Sequence, residues 1–257
     1  MVVLFLGDVV ADGGCRTVRA QLPLLKQSYH PDLVVVNGEN SAQGNGILPS
    51  SAKSLFDSGA DVITTGNHVF RRREIYELLD ERSGILRPAN FSEEAPGSGV
   101  FLVDLLRTKI AVINLMGTAL LEPLANPFDT VDQILKTLDT PNILLDFHAE
   151  ATSEKRAMGF YLDGRVTAVV GTHTHVQTAD EQILPGGTAY ITDLGMCGPR
   201  QSVLGIKPEQ AIARFRTALP TRFENPAGEQ QVNGAVVVFD EKTGRALKIE
   251  RISLLQA

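Results

Sequence analysis

Short apolar runs that end in small or polar residues recur along the chain, and segments with helical spacing separate them. Runs rich in Val and Ile predict strands, and they lie at Val2–Leu6, Leu33–Val36, Val62–Thr64, Val100–Leu105, Ile110–Leu115, Ile143–Phe147, Val166–Val170, Ala189–Thr192 and Ala235–Phe239. Helical spacing predicts helices at Cys15–Gln27, Ser50–Asp57, Arg71–Glu81, Thr130–Leu138, Thr152–Leu162 and Pro208–Thr217. Strands and helices therefore alternate, which is typical of an α/β protein.

The spacing of the elements changes along the chain. The first half has a strand, helix, strand rhythm that predicts parallel pairing, whereas the final third has closer-spaced strands joined by Gly turns. Two sheets covered by helices would suit this arrangement. No Pro- or Ser-rich linker, long charge run or fixed-period repeat divides the sequence. We therefore expect a single domain over residues 1–257.

Composition narrows the class of protein. The 257 residues include 30 acidic and 24 basic side chains, for a net charge of -6, and 43% of residues are hydrophobic. This balance argues against strong binding to nucleic-acid backbone or to an anionic membrane. Two distant cysteines, Cys15 and Cys197, predict free thiols in a reducing compartment. The apolar start at Val2–Leu6 is too short for a signal peptide or a membrane span, so we expect a cytoplasmic protein.

Side chains that can bind metal ions follow almost every predicted strand. They are Asp8, Glu39, Asn40, Asn67, His148, His173 and His175, and His68 comes directly after one of them. Ligands of open α/β sheets collect at the carboxyl ends of the strands. These side chains are therefore expected to surround one crevice.

This set of ligands exceeds the needs of one ion and indicates two ions that share a bridging carboxylate, for which Glu39 is the candidate. Oxygen and nitrogen ligands without thiolate favour iron, manganese or zinc. The positive charge of two divalent ions exceeds the negative charge of two carboxylates and one hydroxide. The surplus positive charge would attract an anion such as a phosphodiester.

The order of these motifs resembles that of the calcineurin-like metallophosphoesterase superfamily. The motifs are Gly7-Asp8, Glu39-Asn40, Gly66-Asn67-His68, His148 and Gly171-Thr172-His173-Thr174-His175. Residues 146–155, 171–178 and 192–198 closely resemble the YmdB-type branch of bacterial phosphodiesterases. The resemblance covers nearly the whole chain and implies a two-sheet β-sandwich flanked by helices, in α/β/β/α layers.

Two positions depart from the wider superfamily, and the YmdB-type branch shares both departures. Val10 stands where the usual first motif has a His, and Glu39 stands where the second motif has an Asp. The resemblance implies two ligand sets, which are Asp8, Glu39, Asn40 and His175 for one ion and Glu39, Asn67, His148 and His173 for the other. It also implies iron as the metal, with manganese as the alternative.

The other candidate ligands suffice for two ions without His68. His68 is therefore free for proton transfer near neutral pH. The resemblance implies that a hydroxide bridging the two metal ions attacks phosphorus in line while His68 protonates the departing ribose oxygen. The substrates that it implies are cyclic nucleotides, especially 2',3'-cyclic and also 3',5'-cyclic ones.

Other functions remain open at this level. The same site could serve phosphomonoesters or general phosphodiesters, or a metal-containing regulatory protein that acts on RNA turnover. An amidohydrolase also uses His-x-His, but its pair normally follows the first barrel strand, whereas here the pair is His173 and His175. Self-association into a homo-oligomer is also left open.

Several motifs have simpler structural interpretations. Arg71–Arg73 could recruit phosphate, but a solvated helix start or a subunit contact is the simpler interpretation. Cys197 suits a small buried apolar position, and His30 suits a helix end. Residues 115–129 either cap the site or form a surface loop. Gly44-Asn45-Gly46 lacks the third glycine of a dinucleotide-binding motif.

Overall fold

Two β-sheets packed face to face form the centre of the computed structural model, which describes residues 1–81 and 83–256. The strands are β1 Val2–Leu6, β2 Asp8–Val9, β3 Leu33–Asn37, β4 Val62–Thr64, β5 Val100–Asp104, β6 Lys109–Met116, β7 Ile143–His148, β8 Ala168–Thr172, β9 Gln182–Ile183, β10 Ala189–Ile191, β11 Met196–Pro199, β12 Gln230–Phe239 and β13 Ala246–Gln256. The helices are α1 Ala11–Tyr29, α2 Pro49–Asp57, α3 Tyr76–Asp80, α4 Pro127–Leu135, α5 Thr152–Tyr161 and α6 Pro208–Thr217.

The pairing follows the rhythm predicted from the sequence. The first sheet has the order β2-β11-β12-β1-β3-β4, with β13 paired to β12, and the second has the order β5-β6-β7-β8-β10-β9. Neighbours are parallel from β1 through β4 in the first sheet and from β6 through β10 in the second. The long pair β12 and β13 near the end of the chain is antiparallel.

Alternation of side chains along the strands builds four layers. In β1, Val3 and Phe5 face the second sheet, whereas Leu4 and Leu6 belong to the cluster that packs against α1 and α2. On the far side of the second sheet, Ile113 packs in a cluster with residues of α4 and α5. The α/β/β/α sandwich is confirmed, whereas the single-domain organisation stays a prediction.

The apolar pattern did not predict every element. Strands β2, β9, β11 and β13 were missed, and β12 begins five residues earlier than the predicted strand at Ala235. The helix predicted over 71–81 is wrong, because two 3-10 turns, Val69–Arg71 and Arg73–Ile75, precede the short α3. Arg72 between these turns is extended, with φ -121° and ψ 116°, which interrupts the helix.

The parallel pairing brings the carboxyl ends of β1, β3 and β4 to one edge of the first sheet, and those of β7 and β8 to one edge of the second. Each of these five strands is followed by, or ends in, a polar side chain of the predicted site. Across 1–81 and 83–256, no helix has both the length and the apolar character that crossing a bilayer requires.

Candidate metal centre

The structure brings all eight predicted site residues together. One group forms around Glu39, His148 and His173, whose ligand atoms lie within 4.8 Å of one another. His148 Nε2 lies 3.3 Å from Glu39 Oε1, 3.1 Å from Asn67 Oδ1 and 3.0 Å from His173 Nδ1. Four atoms with lone pairs thus converge on a small volume.

A second group lies on the other side of Glu39. His175 Nε2 is 3.7 Å from Asp8 Oδ1 and 3.2 Å from Asn40 Nδ2. Asn40 Nδ2 also donates to Glu39 Oε1 at 2.9 Å. Glu39 Oε1 therefore contacts both groups, which is the placement that a bridging carboxylate needs. The amide oxygen of Asn40 faces His68 instead, so ligation by Asn40 requires its amide to turn.

Hydrogen bonds behind His148 determine which ring nitrogen carries its proton. Thr172 Oγ1 donates its hydrogen to Asp146 Oδ1 at 2.7 Å, so it accepts from His148 Nδ1 at 2.9 Å. With the proton on Nδ1, the lone pair of Nε2 points into the cluster. This is the arrangement by which outer groups orient a metal-binding His.

The other two histidines are oriented in the same way. His175 Nδ1 lies 3.1 Å from the carbonyl oxygen of Leu204, and His173 Nε2 lies 3.1 Å from Glu150 Oε2. Both of these oxygens accept hydrogen bonds, which leaves His175 Nε2 and His173 Nδ1 with lone pairs. In their neutral forms, all three imidazoles therefore direct an unprotonated nitrogen to the centre.

Asp8 gives the clearest sign that a cation fits here. Its side chain is fully buried, Oδ2 accepts from the backbone of His173, and Oδ1 has no hydrogen-bond partner among residues 1–81 and 83–256. Burial raises the pKa of Asp8 to about 6, although His175 and His148 oppose this rise. A buried carboxylate oxygen without a partner is costly unless a cation compensates it. The donor set therefore fits hard or intermediate divalent ions.

Burial and neighbouring charges shift the pKa values of His148 and His173 in opposite directions. Burial alone lowers the pKa of His148, but the Glu39 carboxylate raises it, and the result is about 9. Burial and the nearby His148 together lower the pKa of His173 to about 3. A proton on His148 thus supplies charge to the metal-free cluster that a bound cation would supply instead.

Sequence reasoning missed the polar residues behind the ligands. Asp146 is buried and accepts hydrogen bonds from Asn37, Thr64 and Thr172, which joins the two sheets beneath the site. Asp146 lies two residues before His148 in β7, so strand alternation places both on the same face. That spacing is a signal that could have identified Asp146.

A buried ion pair fixes the loop that carries two of the histidines. Lys155 Nζ donates to Asp193 Oδ2 at 2.7 Å, and both side chains are almost wholly buried. Asp193 also accepts from the backbone nitrogens of Thr174 and Gly195, at 3.0 and 2.8 Å. Because Thr174 lies between His173 and His175, this pair holds both rings in place.

Replacing Asp193 with Asn is expected to destabilise the protein by about 3–5 kcal/mol, because it leaves the buried Lys155 ammonium unpaired. Equilibrium unfolding in guanidinium chloride measures the change. The matched control is Asp57→Asn at the exposed Lys53–Asp57 pair, where we expect less than about 1 kcal/mol. Equal losses for the two variants would contradict the assigned role of Asp193.

The arginine cluster has a defined contact with the site. Arg72 donates to the backbone oxygens of Gln43 and Asn45, which holds the loop that follows Asn40. Arg71 and Arg73 are exposed. The structure thus gives Arg72 a role in loop packing. Of residues 115–129, 117–126 connect β6 to α4, and within this connection Thr118 and Ala119 donate through their backbone nitrogens to Glu154.

Cys15 and Cys197 are both buried free thiols, as predicted. Burial raises the pKa of Cys15 to about 11 and that of Cys197 to about 12. Both thiols therefore stay protonated and unreactive at pH values well below these. We expect neither to react with Ellman's reagent in the folded protein near pH 8, and both to react after unfolding in guanidinium chloride. Rapid labelling of the native protein would refute this.

Comparisons with known proteins agree with the geometry. The family model described as YmdB-like protein matches residues 4–252. A protein of Bacillus subtilis (strain 168) named 2',3'-cyclic-nucleotide 2'-phosphodiesterase is 49% identical over 254 residues, which are 98% of this chain and 96% of that protein.

Solved structures show the same fold over the same extent. A hypothetical protein from Thermus thermophilus has a TM-score of 0.95 and 39% identity, with complete coverage of both chains. A Mycoplasma pneumoniae protein described as a novel phosphatase has a TM-score of 0.94 and 36% identity, covering 99% of this chain and 93% of that one. The range matched by the family model, residues 4–252, therefore spans every residue of the candidate centre.

Proposed function

The chain belongs to the YmdB-like family, and from this premise we propose that it is a metal-dependent phosphodiesterase that cleaves the 2' ester bond of 2',3'-cyclic nucleotides. The observation that carries the proposal is the cluster of Glu39, His148 and His173, whose ligand atoms lie within 4.8 Å of one another, beside the Asp8 oxygen that has no hydrogen-bond partner among the described residues. The named activity of the Bacillus subtilis relative supports the choice of substrate.

Two metal ions would be held by the sets implied by the motifs, with iron as the proposed metal and manganese as the alternative. Asp8, Glu39, Asn40 and His175 would hold one ion, and Glu39, Asn67, His148 and His173 would hold the other. When bound, such ions act as Lewis acids and lower the pKa of bound water. The two carboxylates leave the loaded centre with surplus positive charge, which favours an anionic phosphodiester.

We assign the donation of a proton to the leaving group to His68. Its Nδ1 lies 3.1 Å from Asn40 Oδ1 and 3.2 Å from Glu39 Oε1, and both oxygens accept hydrogen bonds. The Glu39 contact keeps a proton on Nδ1 even when the Asn40 amide has turned towards a metal ion, so the proton for the leaving group would come from Nε2. A proton delivered to the 2' oxygen of the ribose would complete the cleavage and leave a nucleoside 3'-phosphate.

Initial rates of the purified protein, loaded separately with iron and with manganese, test this proposal. The substrates are 2',3'-cyclic AMP, 3',5'-cyclic AMP, a linear phosphodiester and a phosphomonoester. We expect the highest kcat/KM for 2',3'-cyclic AMP and adenosine 3'-monophosphate as the product. A second candidate, phosphomonoester hydrolysis, is favoured by the Mycoplasma pneumoniae neighbour described as a phosphatase, and faster monoester turnover would establish it instead.

Replacing His68 with Gln should lower kcat for 2',3'-cyclic AMP by roughly a hundredfold and leave metal content unchanged, because His68 is proposed to act only in proton transfer. Steady-state kinetics and metal analysis measure the two effects. The control is His30→Asn at the end of α1, where φ of 48° suits Asn and activity should stay at the wild-type level. Full activity of the His68 variant would exclude it as the general acid.

A further inference from the structure

A cavity of about 320 Å³ opens beside the candidate metal centre. One of its walls is Asn40, whose amide contacts both His175 and His68. Four segments form the rest, namely Val10 and Ala11 at the start of α1, the loop after Asn40, the segment before α6 at Ile206, and residues 223–225. The volume is in the range of small-ligand sites in proteins.

We propose that this cavity is the nucleobase subsite of the enzyme and that Phe223 stacks against the base. The inference rests on the proposed function, since it assigns a place to the part of the substrate that does not react. Phe223 lines the cavity and is 45% exposed, so its ring presents a free face. Stacking on such a face suits any base, because every base has a π surface.

The charge of the cavity favours an uncharged group over the phosphate. Neither Lys nor Arg is among the described residues that line it, and the carboxylate of Glu224, which does line it, is paired with Lys207 at 2.7 Å. The lining therefore offers no free cation to a phosphate, which is attracted to the metal centre instead. Asn45, exposed at the rim, offers an amide to the polar edge of a base.

Hydrogen bonds between the segments preform the cavity. Gln43 Nε2 donates to Asn225 Oδ1 at 3.0 Å, and Asn225 Nδ2 donates to the carbonyl oxygen of Gly205 at 2.8 Å. Arg72 holds Gln43 and Asn45 from the opposite side. A subsite that is already formed loses less conformational entropy when the ligand binds.

A neighbouring cavity of about 550 Å³ beside His175 is less suited to a base. Val176 and Leu204 line it, and within the described parts of the chain its lining includes no Phe, Tyr or Trp. Its arginine, Arg200, is paired with Glu229 at 2.7 Å. The Phe223 cavity combines an aromatic face, polar edges and contact with Asn40, and therefore fits the base better.

Calorimetric titration of the manganese-loaded protein with adenosine 3'-monophosphate and with inorganic phosphate tests the inference independently of turnover. For Phe223→Ala we expect roughly tenfold weaker binding of adenosine 3'-monophosphate, because stacking is lost, and unchanged binding of phosphate. Phe223→Leu keeps the apolar bulk without the ring and should fall between Ala and wild type. Phe215→Ala, at an exposed ring of α6 that does not line the cavity, is the matched control.

Kinetics add a second readout. Phe223→Ala should raise KM for 2',3'-cyclic AMP and leave KM unchanged for glycerol 1,2-cyclic phosphate, which has the same reacting group without a base. Unchanged affinity of Phe223→Ala for adenosine 3'-monophosphate, or equal weakening of nucleotide and phosphate, would overturn the subsite. If the wild-type protein cleaved neither cyclic phosphate, the proposed function would fail, and the calorimetric result would still decide the subsite.

Discussion

Replacing Asp8 with Asn is expected to abolish metal binding and turnover while making the metal-free protein more stable. The substitution removes one negative ligand from the centre. We expect activity to fall more than about a thousandfold, because bound metal ions both activate water and neutralise developing charge, each worth several kcal/mol. The opposite change in stability follows from the burial of Asp8, whose Oδ1 has no hydrogen-bond partner. An amide nitrogen in that place can donate towards His175 Nε2.

The stability gain should depend on pH in a defined direction. Burial raises the pKa of Asp8 in the folded protein from 3.8 to about 6. A raised carboxyl pKa means that Asp8 favours folding below about pH 4 and that this contribution is lost as the pH rises through 6. The advantage of the variant over the wild type should therefore be small near pH 4 and reach about 1–3 kcal/mol above pH 6.

Chemical unfolding in the presence of a chelator, at several pH values, measures this change, and metal analysis after dialysis against iron or manganese measures ligation. The control is Asp146→Asn, a buried carboxylate whose oxygens accept from Asn37, Thr64 and Thr172. There the amide loses an acceptor, so we expect lower stability instead of higher. Wild-type metal content in the Asp8 variant would contradict its assignment as a ligand.

The strand ends could be predicted from the sequence because the apolar runs of a parallel sheet are continuous and stop abruptly. Val2–Leu6 and Val62–Thr64 were predicted with their observed bounds, and each leads directly to a site residue. Strand β13 was missed because most of its positions are exposed and its apolar residues do not alternate regularly with polar ones. Its place in the sheet depends on ten paired residues of β12, and such pairing is not visible in local composition.

In residues 71–81 the buried positions agree with the helical spacing, but the continuous helix predicted from that spacing does not form. Ile75 and Leu79 are buried, as the helical spacing required. The chain nevertheless interrupts the helix at Arg72, whose side chain donates to the backbone of Gln43 and Asn45. Arg72 thus contacts residues almost thirty positions away in the sequence. The spacing of apolar residues within 71–81 cannot predict such a contact.

The structure brings together every predicted site residue because each lies at a strand end. The residues that orient them were not predicted, since their bonds cross between distant elements. Thr64 of the first sheet donates to Asp146 of the second, and Lys155 of α5 pairs with Asp193. In the sequence, nothing distinguishes these Thr, Asp and Lys residues from others of the same type. Only the fold shows that they fix ring orientation and loop position.

Gly66→Ala is expected to disrupt the centre without changing any ligand. A Cβ at this position would overlap both the imidazole of His148 and the carboxylate of Glu39, far inside van der Waals contact. His148 or Glu39 must therefore move. Because both are proposed ligands held by packed neighbours, we expect more than about a hundredfold loss of metal affinity, beyond the usual effect of disturbing an outer-shell group. Overpacking should also lower stability by about 1–3 kcal/mol.

Gly13→Ala in α1 separates this steric effect from the general effect of losing a glycine. A Cβ there would meet only the end of the Gln230 side chain, at 3.2 Å, and Ala favours a helix by about 0.5–1 kcal/mol over Gly. We therefore expect Gly13→Ala to keep full metal content and equal or higher stability. Metal titration and unfolding of both variants measure the contrast. If Gly66→Ala bound metal as tightly as Gly13→Ala, the ions could not lie where His148 and Glu39 meet, and the proposed ligand set would be wrong.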